Sequence, residues 1–254
     1  MTKQSYLIAG NWKMNGLLVE SMQVMKSLRS HILRKPLKKT KLVLCPPATL
    51  LRDIAEKIPG TGIRLGGQDC HEAKSGAHTG DISAAMLRDM VCDYVIVGHS
   101  ERRTNHKETS ELVALKAEVA HKESLTSIIC IGETEAEREN GSAYDVVKEQ
   151  LLASIPKSAN DENTVIAYEP VWAIGTNKVP TENEIKEMHQ FIVKTAQESL
   201  KQFEKNITVL YGGSANEKNA KKILSLPSVD GLLVGRASLE ADSLWEILQS
   251  AESA

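Results

Sequence analysis

The feature that most restricts the fold is an alternation: eight short, β-branched apolar runs recur along the chain, separated by longer stretches, several with clear helical periodicity. The runs are YLIAG from Tyr6, KLVLC from Lys41, IRLGGQ from Ile63, YVIVGH from Tyr94, TSIICIG from Thr126, TVIAYE from Thr164, TVLYGG from Thr208 and GLLVG from Gly231. Most are apolar at consecutive positions, as in parallel strands covered on both faces. Between the first two runs, Leu18, Met22, Met25, Leu28 and Ile32 step by three and four residues and predict one helical stripe. Thr181 and Glu184 have capping-box spacing ahead of a helix through Ile185, Met188, Phe191 and Ile192. A final helix is predicted from near Ser238. Eight β-then-α units close naturally into an α/β fold of the (β/α)8 barrel type. A doubly wound open sheet is the competing arrangement, but it leaves edges and more often has roughly five to seven strands.

A chain of 254 residues can bury one large core, and without an interior linker or composition break it reads as a single domain over 1–254. Lys+Arg number 31 against 33 Asp+Glu, a formal charge of -2, which gives no support to a nucleic-acid partner. No run approaches the roughly 20 apolar residues of a membrane span. The opening MTKQSYLIAG has no leader character, so the expected setting is the cytoplasm. Cys45, Cys70, Cys92 and Cys130 form no CxxC pair and are expected to be buried thiols. The third connection, GGQDCHEAKSGAHTGDIS, is long and polar and is expected to project, which on composition alone suits a plain surface loop equally well.

In such a barrel the βα loops meet at one face, where function gathers. The polar residues at the strand ends are Asn11, Lys13, Gln68, His99, Glu101, Glu133, Glu169, Ser214 and the Gly235-Arg236 pair. One carboxylate base, one imidazole, one cation and several glycines suit enolisation of a phosphorylated carbonyl compound better than a metal centre, which needs three clustered ligands. Each residue alone also has a structural reading: a solvated lysine, a hydrogen-bonded histidine, a carboxylate before a turn. As functional groups, Lys13 supplies fixed positive charge, and His99 near a helix N-terminus is held neutral because the helix field opposes protonation. Pro170 forces Glu169 into an extended backbone. The following VWAIGTNK, with Trp172 and Ile174 before Gly175, reads as an apolar lid. Gly175, the YGGS run and GLLVGRASL suit a phosphate held by backbone N–H groups.

AGNWKMN from Ala9, CPPA at Cys45, VIVGHSERR from Val95, AYEPVWAIGT from Ala167, YGGS from Tyr211 and GLLVGRASL from Gly231 resemble the triosephosphate isomerase family, in family order and across nearly the whole chain. The resemblance implies a TIM barrel that interconverts dihydroxyacetone phosphate and D-glyceraldehyde 3-phosphate with no metal or organic cofactor. It implies Glu169 as the carbon base, neutral His99 as the carbonyl electrophile, and Lys13 with Asn11 as substrate-binding groups. Gly175, Ser214, Gly235 and the Arg236 N–H would hold the phosphate; Glu101 would organise the inner shell and Cys130 would lie behind it. It also implies a homodimer through the loop around Thr79 and Gly80.

Some positions depart from that pattern. Arg236 stands where a second glycine is common, so a left-handed backbone there would strain it, and if only its backbone acts then Arg236→Gly should change turnover and KM little. Asn177 replaces a frequent lid glycine, Asp69 a frequent asparagine, and His78 a frequent aromatic. Two other readings share the barrel: an aldolase or indole-glycerol-phosphate synthase relative, which needs a Schiff-base lysine or second acid, and a non-catalytic scaffold, which should lack one of the three reactive groups.

Overall fold

The computed structural model describes residues 5–174, 178–203 and 207–254; the predicted phosphate ligand Gly175 and the lid residue Asn177 lie outside the described residues. Eight strands, β1 (Tyr6–Asn11), β2 (Thr40–Cys45), β3 (Arg64–Gly67), β4 (Cys92–Val97), β5 (Thr126–Ile131), β6 (Thr164–Tyr168), β7 (Thr208–Tyr211) and β8 (Gly231–Val234), pair in chain order into a closed barrel. The seams at β1–β2 and β8–β1 are parallel, with Ile8 opposite Leu42 and Leu232, so no edge is left. All eight predicted strands are present, shifted at their ends by a few residues at most.

The consecutive apolar pattern has a direct cause. Leu7, Ala9, Val43, Cys45, Ile96, Ile128, Cys130, Val165, Ala167, Leu210 and Leu233 pack together inside the barrel. Their strand neighbours, such as Ile8, Leu42, Leu44, Val95 and Val97, pack outward with the helices in a second core. Each fully buried branched side chain of this kind contributes on the order of 1.5–3 kcal/mol.

The helix Leu18–Arg34 buries Met25, Leu28 and Ile32, but Leu18 is 49% exposed and Ser21 is buried instead. The stripe therefore begins one turn later than the spacing predicts, with Leu18 left at the surface. Thr181 and Glu184 form both bonds of the capping box on the helix Glu182–Ser199. At the C-terminus a 3-10 turn, Arg236–Leu239, precedes the final helix Ala241–Ser253. Ser238 is thus in the turn and not at the helix start. It packs so closely on Gly10 that a Cβ there would lie 2.9 Å from the Ser238 Cβ. In the third connection, residues 74–81 are exposed. No helix among the described residues is long and apolar enough to cross a membrane.

Candidate active site

The C-terminal ends of the strands enclose a cleft of about 1050 Å³ whose lining includes Asn11, Lys13, His99, Glu101, Glu169, Ser214, Gly235 and Arg236. Eight of the ten sequence-predicted site residues meet there. Cys130 lies behind it, and Gly175 is outside the described residues.

Lys13 follows β1 in a left-handed conformation, φ 53°, a strain of order 1–3 kcal/mol that the surroundings must hold. They do so from both sides. Lys13 N–H donates to Asn11 Oδ1 at 3.0 Å, and Gln68 Nε2 donates to Lys13 O and to Cys45 O, each at 2.8 Å. Gln68 was visible as a strand-end polar residue, but its positioning task depends on where β3 stands against β1. The Lys13 ammonium reaches Glu101 Oε1 at 2.6 Å, which is how Glu101 meets the inner shell.

His99 caps the helix Ser100–Asn105, and its Nδ1 accepts from Glu101 N–H at 3.2 Å. An accepting Nδ1 places the ring proton on Nε2. Nε2 faces Glu169 Oε1 at 2.9 Å, while Glu169 Oε2 accepts from Ser100 N–H at 2.9 Å. Burial raises the Glu169 carboxyl, but His99, the Ser100 amide and Lys13 outweigh it and leave the pKa lowered. For His99, burial lowers the pKa and the Glu169 carboxylate more than offsets it, so the ring is raised. The helix N-terminus is where the sequence expects it; the carboxylate working against it becomes visible only when β4 and β6 are brought together. Cys130 is buried, and burial with the Glu169 charge holds its thiol protonated. Gly212 is a glycine because a Cβ there would lie 2.9 Å from Glu169 Cγ.

After Pro170 the chain forms a short 3-10 turn, Val171–Ala173. Trp172 Nε1 donates to Glu133 Oε1 at 2.8 Å, Tyr168 hydroxyl donates to the same oxygen at 3.1 Å, and so does Arg138 at 3.1 Å. The Arg138 guanidinium also lies 4.8 Å from the Trp172 ring centroid. Arg138 was not singled out in the sequence, since nothing local marks it. On the opposite wall, Arg236 opens its 3-10 turn, where the first N–H groups have no partner within the turn. The strain expected at Arg236 is absent: it is not among the described residues with positive φ.

Two other departures have structural partners. Asp69 binds Lys116 Nζ at 2.8 Å and Arg102 at 3.0 Å. The His78 ring lies against that of His71, centroids 3.9 Å apart and tilted by 34°, and with Asp81 their ligand atoms lie within 4.8 Å of one another. His71 Nδ1 accepts from Ala73 N–H at 2.9 Å, which keeps the proton on Nε2, 3.8 Å from Asp81. That trio is a close grouping of side chains in the projecting loop, tied to the backbone through His71.

The family model for triosephosphate isomerase matches residues 6–251. A triosephosphate isomerase of Rhizobium etli is 47% identical over 248 residues, covering 97% of this chain and 96% of the relative. One from Rhodopseudomonas palustris is 48% identical over 238 residues, covering 92% and 93%. The crystal structure of triosephosphate isomerase from Bartonella henselae superposes with a TM-score of 0.88 at 40% identity, covering 96% of this chain and 98% of that one. Closed barrel, strand-end constellation and full-length similarity agree, and the chain belongs to the triosephosphate isomerase family.

Proposed function

We propose that Glu169, His99 and Lys13 divide the steps of the family's reaction among them. The enzyme is a cofactor-independent isomerase that interconverts dihydroxyacetone phosphate and D-glyceraldehyde 3-phosphate through an enediolate formed by a glutamate base. The observation that carries the division of roles is the coupled geometry of Glu169 and His99. Both Glu169 oxygens are occupied, by Ser100 N–H and His99 Nε2. Held so, the carboxylate is a weak base. To take the C1 proton it must leave these donors, and burial beside Val171 and Ile174 then raises its basicity.

The same movement resets His99. Once the carboxylate withdraws toward the substrate carbon, burial and Lys13 both favour the neutral ring, whose Nε2–H donates to the carbonyl and then serves the two enediolate oxygens. Lys13 and Asn11 stabilise the developing negative charge, and the glycine loops with Ser214, Gly235 and Arg236 N–H take the phosphate. A coupled assay of glyceraldehyde 3-phosphate conversion tests this: turnover unaffected by a chelator is expected, and an inactive folded protein or chelator-sensitive turnover overturns the reading.

The working unit is a homodimer. Met14 is 96% exposed, and Leu17, Leu18 and Val19 beside it are exposed as well, an apolar patch that a monomer would leave in water. The projecting loop around Thr79 of a second copy is the proposed cover, next to Asn11 and Lys13. Sedimentation showing a fully active monomer at nanomolar concentration would reject it. Four buried free thiols suit a reducing compartment, and the cytoplasm is the proposed location.

A further inference from the structure

The charges of the cleft are unevenly compensated. Its described lining carries two cations, Lys13 and Arg236, and four carboxylates, Glu101, Glu169, Glu217 and Glu240. Lys13 is bound to Glu101 at 2.6 Å. Glu169 is held by an amide and an imidazole, and Glu217 accepts from Ser243 Oγ at 2.7 Å. The Arg236 side chain is exposed, and among the described residues no hydrogen bond or ion pair engages its guanidinium. Beside it, among the described residues Gly235 has only the Lys13 side chain near its missing Cβ, with Cε at 3.9 Å. The free guanidinium therefore stands at the rim of the cleft, on the wall that also carries the Lys13 chain. A dianionic substrate must enter a lining where carboxylates outnumber cations, in a protein of net charge -2.

We propose that the Arg236 guanidinium is an entry cation: it draws the phosphate dianion toward the cleft through solvent, while the backbone N–H of the same residue holds the phosphate once bound. The proposal rests on the isomerase reading of the site. An exposed, unpaired charge acts on approach and not by contact, so its effect follows ionic screening, with a Debye length of about 30 Å at 0.01 M and about 8 Å at 0.15 M. Such a charge raises the rate of encounter and loses influence as salt is added.

The test compares kcat/KM for D-glyceraldehyde 3-phosphate in wild type, Arg236→Gln and Arg236→Lys across ionic strengths, with unphosphorylated glyceraldehyde as the second substrate. Arg236→Gln should lower kcat/KM by about 5- to 10-fold at 0.01 M and about 3-fold at 0.15 M, with little difference left at about 0.5 M. Arg236→Lys should restore the wild-type salt slope, and the uncharged substrate should not distinguish the three proteins. Equal salt slopes in wild type and Arg236→Gln overturn the entry role. A rise in KM of about tenfold that persists at high salt overturns it in favour of direct phosphate contact. A folded wild type unable to turn over the phosphorylated substrate would instead overturn the isomerase reading, which separates the two failures.

Discussion

Two histidines at opposite ends of the barrel are both drawn out of water, and their surroundings push them in opposite directions. His99, at the C-terminal end of β4, faces the Glu169 carboxylate and is raised despite its burial. His121 ends the helix before β5 and faces Ser158 Oγ and Ser127 Oγ, each at 2.9 Å, and Thr164 Oγ1 at 3.4 Å. With hydroxyl partners, burial dominates, only partly offset by the Asn163 backbone and Glu118, and lowers its pKa to about 4. Burial alone does not make a reactive histidine; the difference is a carboxylate able to exchange charge with it. At the N-terminal end the imidazole has only hydroxyl partners and burial keeps it neutral, whereas at the C-terminal end it faces a carboxylate that raises it.

Substitutions can break this contrast in graded steps. Lys13→Met should have the largest effect, a fall in kcat/KM on the order of 10²- to 10³-fold, because it removes the cation that meets developing negative charge. Steady-state kinetics at constant ionic strength reads it. His99→Gln should reduce kcat by about 10²-fold with KM little changed, the split expected of a group used mainly in the transition state. Trp172→Phe keeps a ring beside Arg138 and removes the indole donor to Glu133, so kcat should fall by less than about tenfold. An unchanged pre-steady-state profile would show that the Trp172–Glu133 hydrogen bond does not bear on turnover.

The smallest effect on activity is expected at the other end. His121→Gln should leave kcat within about twofold and alter stability instead. A histidine lowered in the folded state contributes stability that is fully present above its unfolded value near 6.5 and lost as pH falls toward about 4. Urea unfolding should therefore show wild type losing on the order of 2–3 kcal/mol over that window and the variant losing less. His99, being raised, has the opposite linkage: its contribution is present below about 6.5 and declines as pH rises through the folded value.

What could be read from the sequence follows from how far each residue's task depends on distant partners. The strands were legible because inner and outer cores both select apolar side chains at consecutive positions. The Thr181–Glu184 box was legible because its two bonds lie within one turn. Lys13, His99 and Glu169 were marked by their places at strand ends, but the pairing of His99 with Glu169 is set by barrel closure. The same holds for Glu133, whose oxygen collects Tyr168, Trp172 and Arg138 from separate segments. Leu18 misled because helical spacing fixes which residues share a face but not how far along the helix that face is covered. Strain at Arg236 was conditional on a left-handed backbone where the family commonly has glycine, and that condition is not met; among the described site residues it is Lys13 that carries positive φ.

The central claim is that Glu169, released from Ser100 and His99, removes the carbon-bound proton. Glu169→Asp keeps the carboxylate but withdraws it by about one methylene, and a misplacement on the order of 1 Å can cost about 100-fold. The most direct measurement is exchange of the substrate's C1 hydrogen with solvent in a folded Glu169→Asp sample whose oligomeric state matches that of the wild type. The account predicts a fall in exchange of about 100-fold, with turnover reduced far more than KM is raised. Exchange near the wild-type rate would contradict it and require another base.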